Sequence, residues 1–260
     1  MCLKNKIAIL IDGDNAQSKF IENYISEASS FGKITIKRIY ADWTNSNMNG
    51  WKNVLNENAV RAMQKFAYTK GKNSTDTALI IDAMDILLSG KVDGICIVSS
   101  DSDYTGIANR IREEGLFVMG IGRYDTPKSF VNACEKFIYT EIFNKNIASN
   151  KENSKTKSQK LKSPKIIGKI DLIGPLKNKD VQIIDFDMIN SAYENVVDVN
   201  TELALLSRFS EALRKIDTTF DYRNYGFNSI KEFCENLSDY KLIVANDNMT
   251  YSIKKIEQTL

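Results

Sequence analysis

Three short acidic groups stand out as residues able to do chemistry together. The first closes an apolar run, Ile7-Ala8-Ile9-Leu10-Ile11-Asp12-Gly13-Asp14-Asn15. The second ends the stretch Lys70-Gly71-Lys72-Asn73-Ser74-Thr75-Asp76. The third, Ser99-Ser100-Asp101-Ser102-Asp103, again follows an apolar run (Ile95-Cys96-Ile97-Val98). Carboxylates brought close together need raised pKa values or a cation between them. Hard oxygen donors of this kind suit Mg²⁺ or Mn²⁺. A divalent ion held so can activate water and stabilise the leaving oxygen of a phosphodiester. The chain contains no histidine. Ser-His-Asp triads, Cys-His dyads, histidine bases and histidine metal ligands are therefore excluded, and any hydrolysis must run on carboxylates, lysines or oxygen-bound metal.

Each acid also has a purely structural alternative. Asp76 and Asp103 suit helix N-caps, Asp12 can cap through Gly13-Asp14, and Asp101 can make turn hydrogen bonds. It is their joint placement at strand ends that favours a site. Asp14 can face such a site without being required to. Asp82 falls about 9 Å along a helix from Asp76 and Asp85 one further turn on, which makes them outer or surface groups. Lys70 and Lys72 can hold phosphates beside the acids or form a solvated loop. Tyr68, Tyr104 and Arg123 are candidate base or phosphate contacts, with packing the alternative for the tyrosines.

The elements that must position these groups alternate. Strand patterns at residues 7–12, 34–40, 64–68, 94–99 and 116–121, with a sixth at 136–140, are interleaved with helical patterns at 17–30, 51–63, 77–88 and through Ile107 to Glu114. That order predicts βαβ units, a parallel sheet and right-handed crossovers. In such a sheet the carboxyl ends of the strands share one edge, so acids far apart in sequence converge. The fold expected for residues 1–144 is an α/β doubly wound parallel sheet in three layers, of Rossmannoid type.

Charge divides the chain further. Residues 1–144 carry seventeen basic and seventeen acidic residues, 145–179 ten and two, and 180–260 eight and fourteen. A basic connector thus joins a neutral unit to an acidic one. The connector, rich in Lys, Ser and Asn, reads as a flexible tether whose lysines can also touch a polyanion. Helical patterns at 186–197, 202–216 and 228–237 precede strands at 242–245 and 250–253 around Asn246-Asp247-Asn248. They predict a small C-terminal winged-helix-like α+β domain. Cys2, Cys96, Cys134 and Cys234 are scattered, without metal or disulfide spacing. No signal peptide or membrane span is apparent, which points to the cytoplasm.

The three acidic motifs, continued by Gly115-Leu116-Phe117-Val118-Met119-Gly120, resemble the NYN domain, a PIN-like nuclease family, over roughly residues 5–143. The resemblance implies that Asp12, Asp76, Asp101 and Asp103 are metal-binding catalytic acids and that Asn15 is an amide beside them. Lys70, Lys72 and Arg123 are the accompanying candidates for substrate binding. The family's usual spacing has one residue between Lys-Gly and the acid, whereas Lys72 to Thr75 intervene here. Phe220-Asp221-Tyr222-Arg223-Asn224-Tyr225-Gly226-Phe227 and the helix after it resemble the LOTUS, or OST-HTH, domain, which implies RNA binding or protein docking. A local basic face for RNA would draw on Arg208, Arg214, Lys215 and Arg223. The leading expectation is a metal-dependent ribonuclease acting on single-stranded RNA. Two alternatives stay open: a haloacid-dehalogenase-like phosphohydrolase with Asp12 as nucleophile, which Asp12-Gly13-Asp14 mimics, and a non-catalytic RNA-binding adaptor. Besides RNA, the partners considered are a protein docked on the C-terminal domain and a second copy of the chain in a homodimer.

Overall fold

The computed structural model describes residues 5–66, 74–144, 184–245, 247 and 249–256. The chain divides into two compact units, Met1–Ser149 and Asn150–Leu260.

In the first unit six strands form one parallel sheet: β1 (Lys6–Asp12), β2 (Lys33–Ala41), β3 (Arg61–Gln64), β4 (Gly94–Val98), β5 (Phe117–Gly122) and β6 (Lys136–Tyr139). Their spatial order is β3-β2-β1-β4-β5-β6. The helices are α1 (Ile21–Ser29), α2 (Lys52–Glu57), α3 (Ser74–Leu88), α4 (Thr105–Glu113) and α5 (Lys128–Ala133). β1 shows why its sequence is apolar without interruption. Ile7, Ile9 and Ile11 enter the core shared with α1 and α2, whereas Ala8 and Leu10 enter the opposite core with α3, α4 and α5. A strand covered on both faces must be apolar at every position. The sequence order reverses between β1 and β4, and in open α/β sheets the ligand crevice lies at the carboxyl ends of the strands at that reversal.

Two expectations shift. The helix expected over 51–63 is a 3₁₀ turn, Ser46–Trp51, followed by α2, which stops at Glu57. Asn58 folds its amide back onto the Val54 carbonyl (2.9 Å), and Ala59 adopts φ 50°. Residues 61–63, expected to finish that helix, join Gln64 in β3, so the third strand starts before the expected 64–68. Local propensity favoured helix there, and pairing of Arg38 to Ala41 with Arg61 to Gln64 prevailed. Tyr68, Lys70 and Lys72 lie outside the described residues.

The second unit packs α6 (Phe186–Glu194), α7 (Leu206–Ile216) and α8 (Ile230–Glu235) against an antiparallel sheet ordered β7-β9-β8. Its strands are β7 (Ala204–Leu205), β8 (Tyr240–Val244) and β9 (Tyr251–Lys255). Phe209, Phe220, Phe227 and Phe233 fill the core. Tyr225-Gly226-Phe227 turns through Gly226 at φ 87°, and Tyr225 and Phe227 lie 5.5 and 5.6 Å from the Phe233 ring. The helix expected from Glu202 starts only at Leu206, because Ala204 and Leu205 pair with β9.

Candidate metal centre

Asp12 ends β1 and is fully buried. Its Oδ1 accepts the backbone N–H groups of Asp14 (3.1 Å) and Asn15 (3.4 Å). Its Oδ2 accepts Asn15 Nδ2 (2.6 Å) and Ser99 Oγ (2.8 Å). Gly13 allows this turn: a Cβ there would stand 2.9 Å from the Tyr40 carbonyl, which already accepts the Gly13 N–H. Burial raises the Asp12 pKa against the lowering effect of the Asn15 and Ser99 hydrogen bonds.

Across the crevice Ser99 follows β4 and receives the Asp101 N–H on its hydroxyl (3.1 Å). Asp101 then caps a 3₁₀ turn, Ser102–Tyr104, by accepting the Asp103 N–H (3.0 Å). Asp76 lies in the first turn of α3, which starts at Ser74 rather than at the expected Thr77. The buried Tyr104 hydroxyl donates to Asp76 Oδ1 (2.8 Å).

Asp76, Asp101 and Asp103 each place a carboxylate oxygen within 4.8 Å of the others'. Asp12 lies close enough to the group to raise the Asp76 pKa, which burial chiefly lifts and to which Asp101 and Asp103 also contribute. Burial, with contributions from Asp76 and Asp42, raises Asp14 as well, while a hydrogen bond with Thr75 lowers it. Among the described residues no ion pair neutralises Asp12, Asp76 or Asp101. Crowded, partly desolvated hard-oxygen donors are what a small divalent cation needs, so the donor set fits Mg²⁺ or Mn²⁺.

The remaining predicted residues divide. Asn15 orients Asp12 directly. Arg123 follows β5 and its N–H donates to Ser100 Oγ (2.9 Å), but its half-exposed guanidinium pairs with Asp125 (3.0 Å). Asp82 is not at the cluster; it binds Arg38 and Tyr40. Tyr104 is wholly buried, so its ring packs in the core rather than stacking on a base, and its hydroxyl binds Asp76. Sequence reasoning missed Ser99, Thr75 and Asp42, the last at the end of β2. For Ser99 a signal existed, a hydroxyl directly after a wholly apolar strand. With both carboxylate oxygens bonded and no exposure, Asp12 is poorly placed to be an attacking nucleophile.

A family model of the NYN domain matches residues 6–143. The chain belongs to the NYN-domain family. A model of the OST-HTH/LOTUS domain matches residues 188–251, which lie in the second compact unit. No curated protein matches the chain. Among solved structures, a Vibrio parahaemolyticus protein of unknown function is 21% identical, with 54% of this chain and 95% of that one covered and a TM-score of 0.46. A Thermotoga maritima oxidoreductase is 14% identical, covering 54% of this chain and 39% of that one, with a TM-score of 0.31. A putative dehydrogenase from Bordetella bronchiseptica is 12% identical, covering 52% and 31%, at 0.28. Likeness at this level carries no activity to the NYN chain. No helix among the described residues is long and apolar enough to cross a membrane.

In the LOTUS unit Arg223 makes a bidentate pair with Asp221 (2.9 and 2.7 Å) and Lys215 pairs with Glu211 (3.0 Å). Arg208 and Lys215 line a cavity of about 430 Å³ between Asn195 and Ile216. The basic residues named from sequence are thus partly committed to internal ion pairs.

Proposed function

We propose that the NYN domain is a divalent-metal-dependent ribonuclease that hydrolyses single-stranded RNA. The observation that carries the reading is the meeting of the Asp76, Asp101 and Asp103 carboxylates within 4.8 Å at the sheet's switch point. These three acids, with buried Asp12 as the fourth, would hold Mg²⁺ or Mn²⁺. Such an ion supplies activation of water and stabilisation of the charge that develops on the phosphodiester oxygens. The chain's own residues do the rest. Asn15 and Ser99 fix the Asp12 carboxylate, Tyr104 fixes Asp76, and the Asp101 cap holds Asp103 on its turn. Lys70, Lys72 and Arg123 contact substrate phosphates, Arg123 by exchanging its Asp125 partner. The LOTUS domain and the basic connector retain the RNA, the connector by counterion release. The domain division 1–144, 145–179 and 180–260 belongs to this reading.

The test is cleavage of an end-labelled single-stranded RNA in Mn²⁺. EDTA should abolish it, and Asp101→Asn or Asp12→Asn should slow it at least about a hundredfold, the upper end of what loss of even an outer partner of a metal ligand costs. Cleavage that survives both chelation and substitution overturns the mechanism. Tight RNA binding indifferent to divalent ions, with no cleavage, replaces it by the adaptor reading.

A further inference from the structure

A second polar group lies on the same helix as Asp76 but takes no part in the chemistry above. One carboxylate oxygen of Asp82 accepts a hydrogen bond from Arg38 Nη1 and the other from the Tyr40 hydroxyl. Arg38 and Tyr40 are two residues apart on β2 and so share one face of the sheet. Tyr40 is buried, and the Arg38 and Asp82 side chains are only 23% and 18% exposed. An ion pair at this depth is a poor source of stability, because desolvation offsets its Coulombic gain and apolar replacements often do as well. Its use has to be geometric.

Helix α3 lies on the sheet through Leu79, Ala83, Ile86 and Leu87. Apolar burial is non-directional, so those contacts alone leave small rolls and slides of the helix nearly free. Two directional ties remove that freedom. One is the Tyr104 hydroxyl on Asp76; the other is the Arg38–Asp82–Tyr40 group. At 3.6 residues per turn, Asp76 and Asp82 stand about 120° apart around the helix axis and about 9 Å apart along it. The two ties therefore oppose rotation and translation together. Tyr40 is also the register partner of Asp12 in the β1–β2 ladder, and its carbonyl accepts the Gly13 N–H (2.9 Å). One residue is thus bonded both to the turn after Asp12 and to the helix that carries Asp76.

We propose that Arg38, Tyr40 and Asp82 are positioning residues: they clamp α3 so that the Asp76 carboxylate stays within reach of Asp101 and Asp103. The proposal rests on reading that cluster as a divalent-cation site. The clamp serves cation affinity rather than folding, and the two are separable.

The experiment titrates Mn²⁺ into the full chain, following free Mn²⁺ by electron paramagnetic resonance, alongside thermal unfolding without metal. The proteins are wild type, Asp82→Asn, Tyr40→Phe and the apolar pair Arg38→Met with Asp82→Leu. Asp82→Asn and the apolar pair should lose about tenfold or more in Mn²⁺ affinity, the range seen when outer partners of metal ligands are removed. Tyr40→Phe should lose less, since Arg38 still holds Asp82. The apolar pair should unfold close to the wild-type temperature, relief of the ion pair's desolvation offsetting the Tyr40 hydroxyl left without its acceptor. Folded variants that bind Mn²⁺ as wild type does overturn the clamp, whatever their unfolding temperature. So does failure of both Asp82→Asn and the apolar pair to fold, which would make the group structural. A wild-type chain that binds no Mn²⁺ overturns the cation-site reading, and the clamp falls with it.

Discussion

Among the acids of the candidate site, Asp12 is a carboxylate shut off from water. Asp12 is held by two backbone N–H groups, an amide and a hydroxyl, and those donors stand in for its lost hydration. Hydrogen bonds to a charged group are worth more than neutral ones, and a buried acceptor left short pays its desolvation cost in full. Ser99→Ala should therefore destabilise the NYN domain by about 1.5–3 kcal/mol in urea unfolding. In an Asp12→Asn background the same substitution should cost clearly less, because the charge it serves is gone. Equal costs in both backgrounds would mean that Ser99 acts through Asp101, whose N–H its oxygen accepts. The sequence placed Asp12, Asp101 and Asp103 at strand ends from their neighbours alone. Ser99 escaped, and Tyr104 was legible only as a base contact or packing residue, because their partners lie 87 and 28 residues away.

The strands and helices around the crevice tolerate change very unevenly. A Cβ on Gly122, the last residue of β5, would lie 2.5 Å from the Ser99 carbonyl and 2.7 Å from Thr126 Oγ1. The Ser99 backbone cannot retreat without moving its hydroxyl off Asp12. Gly122→Ala should cost about 1–3 kcal/mol, as overpacking does, and should weaken Mn²⁺ binding as well. Gly106, in the first turn of α4, has nothing beyond its chain neighbours and the helix's own backbone within 4 Å of where its Cβ would be. Gly106→Ala should stabilise the same domain by about 0.5–1 kcal/mol through helix propensity. Chemical denaturation of the two variants side by side checks both signs. The apolar runs of β1, β4 and β5 made those strands legible. β3 was not, because its first three residues follow helical periodicity and become strand only through pairing with β2. Likewise β7 is two residues long and owes its assignment to β9.

At the scale of the whole molecule the two compact units each own a core and at least one buried thiol. Burial raises the Cys96 and Cys134 thiols and pushes Cys234 up to about 12. At pH 8 these thiols are protonated as well as covered, and the thiolate is the reactive form. In a chain carrying Cys2→Ser, alkylation at pH 8 should be slow without denaturant and should report local opening. Cys96 and Cys134 should become reactive together as urea rises, and Cys234 over a separate range. Mass spectrometry of the alkylated peptides reads this directly. One shared transition for all three would show that the units unfold as a single cooperative body.

Sequence by itself determined the parallel sheet, the acids at its carboxyl edge and the small aromatic-cored unit after a basic connector. Each follows from local patterns: period, apolar run length, turn chemistry and charge. Only the tertiary structure decided that Asp76, Asp101 and Asp103 meet while Asp12 lies buried beside them, and that Asp82 turns from the cluster toward Arg38 and Tyr40. The rotation of α3 on the sheet sets those distances. Rotation of a packed helix depends on side chains from β2 and from the turn after β4 at once, and no single stretch of sequence contains both.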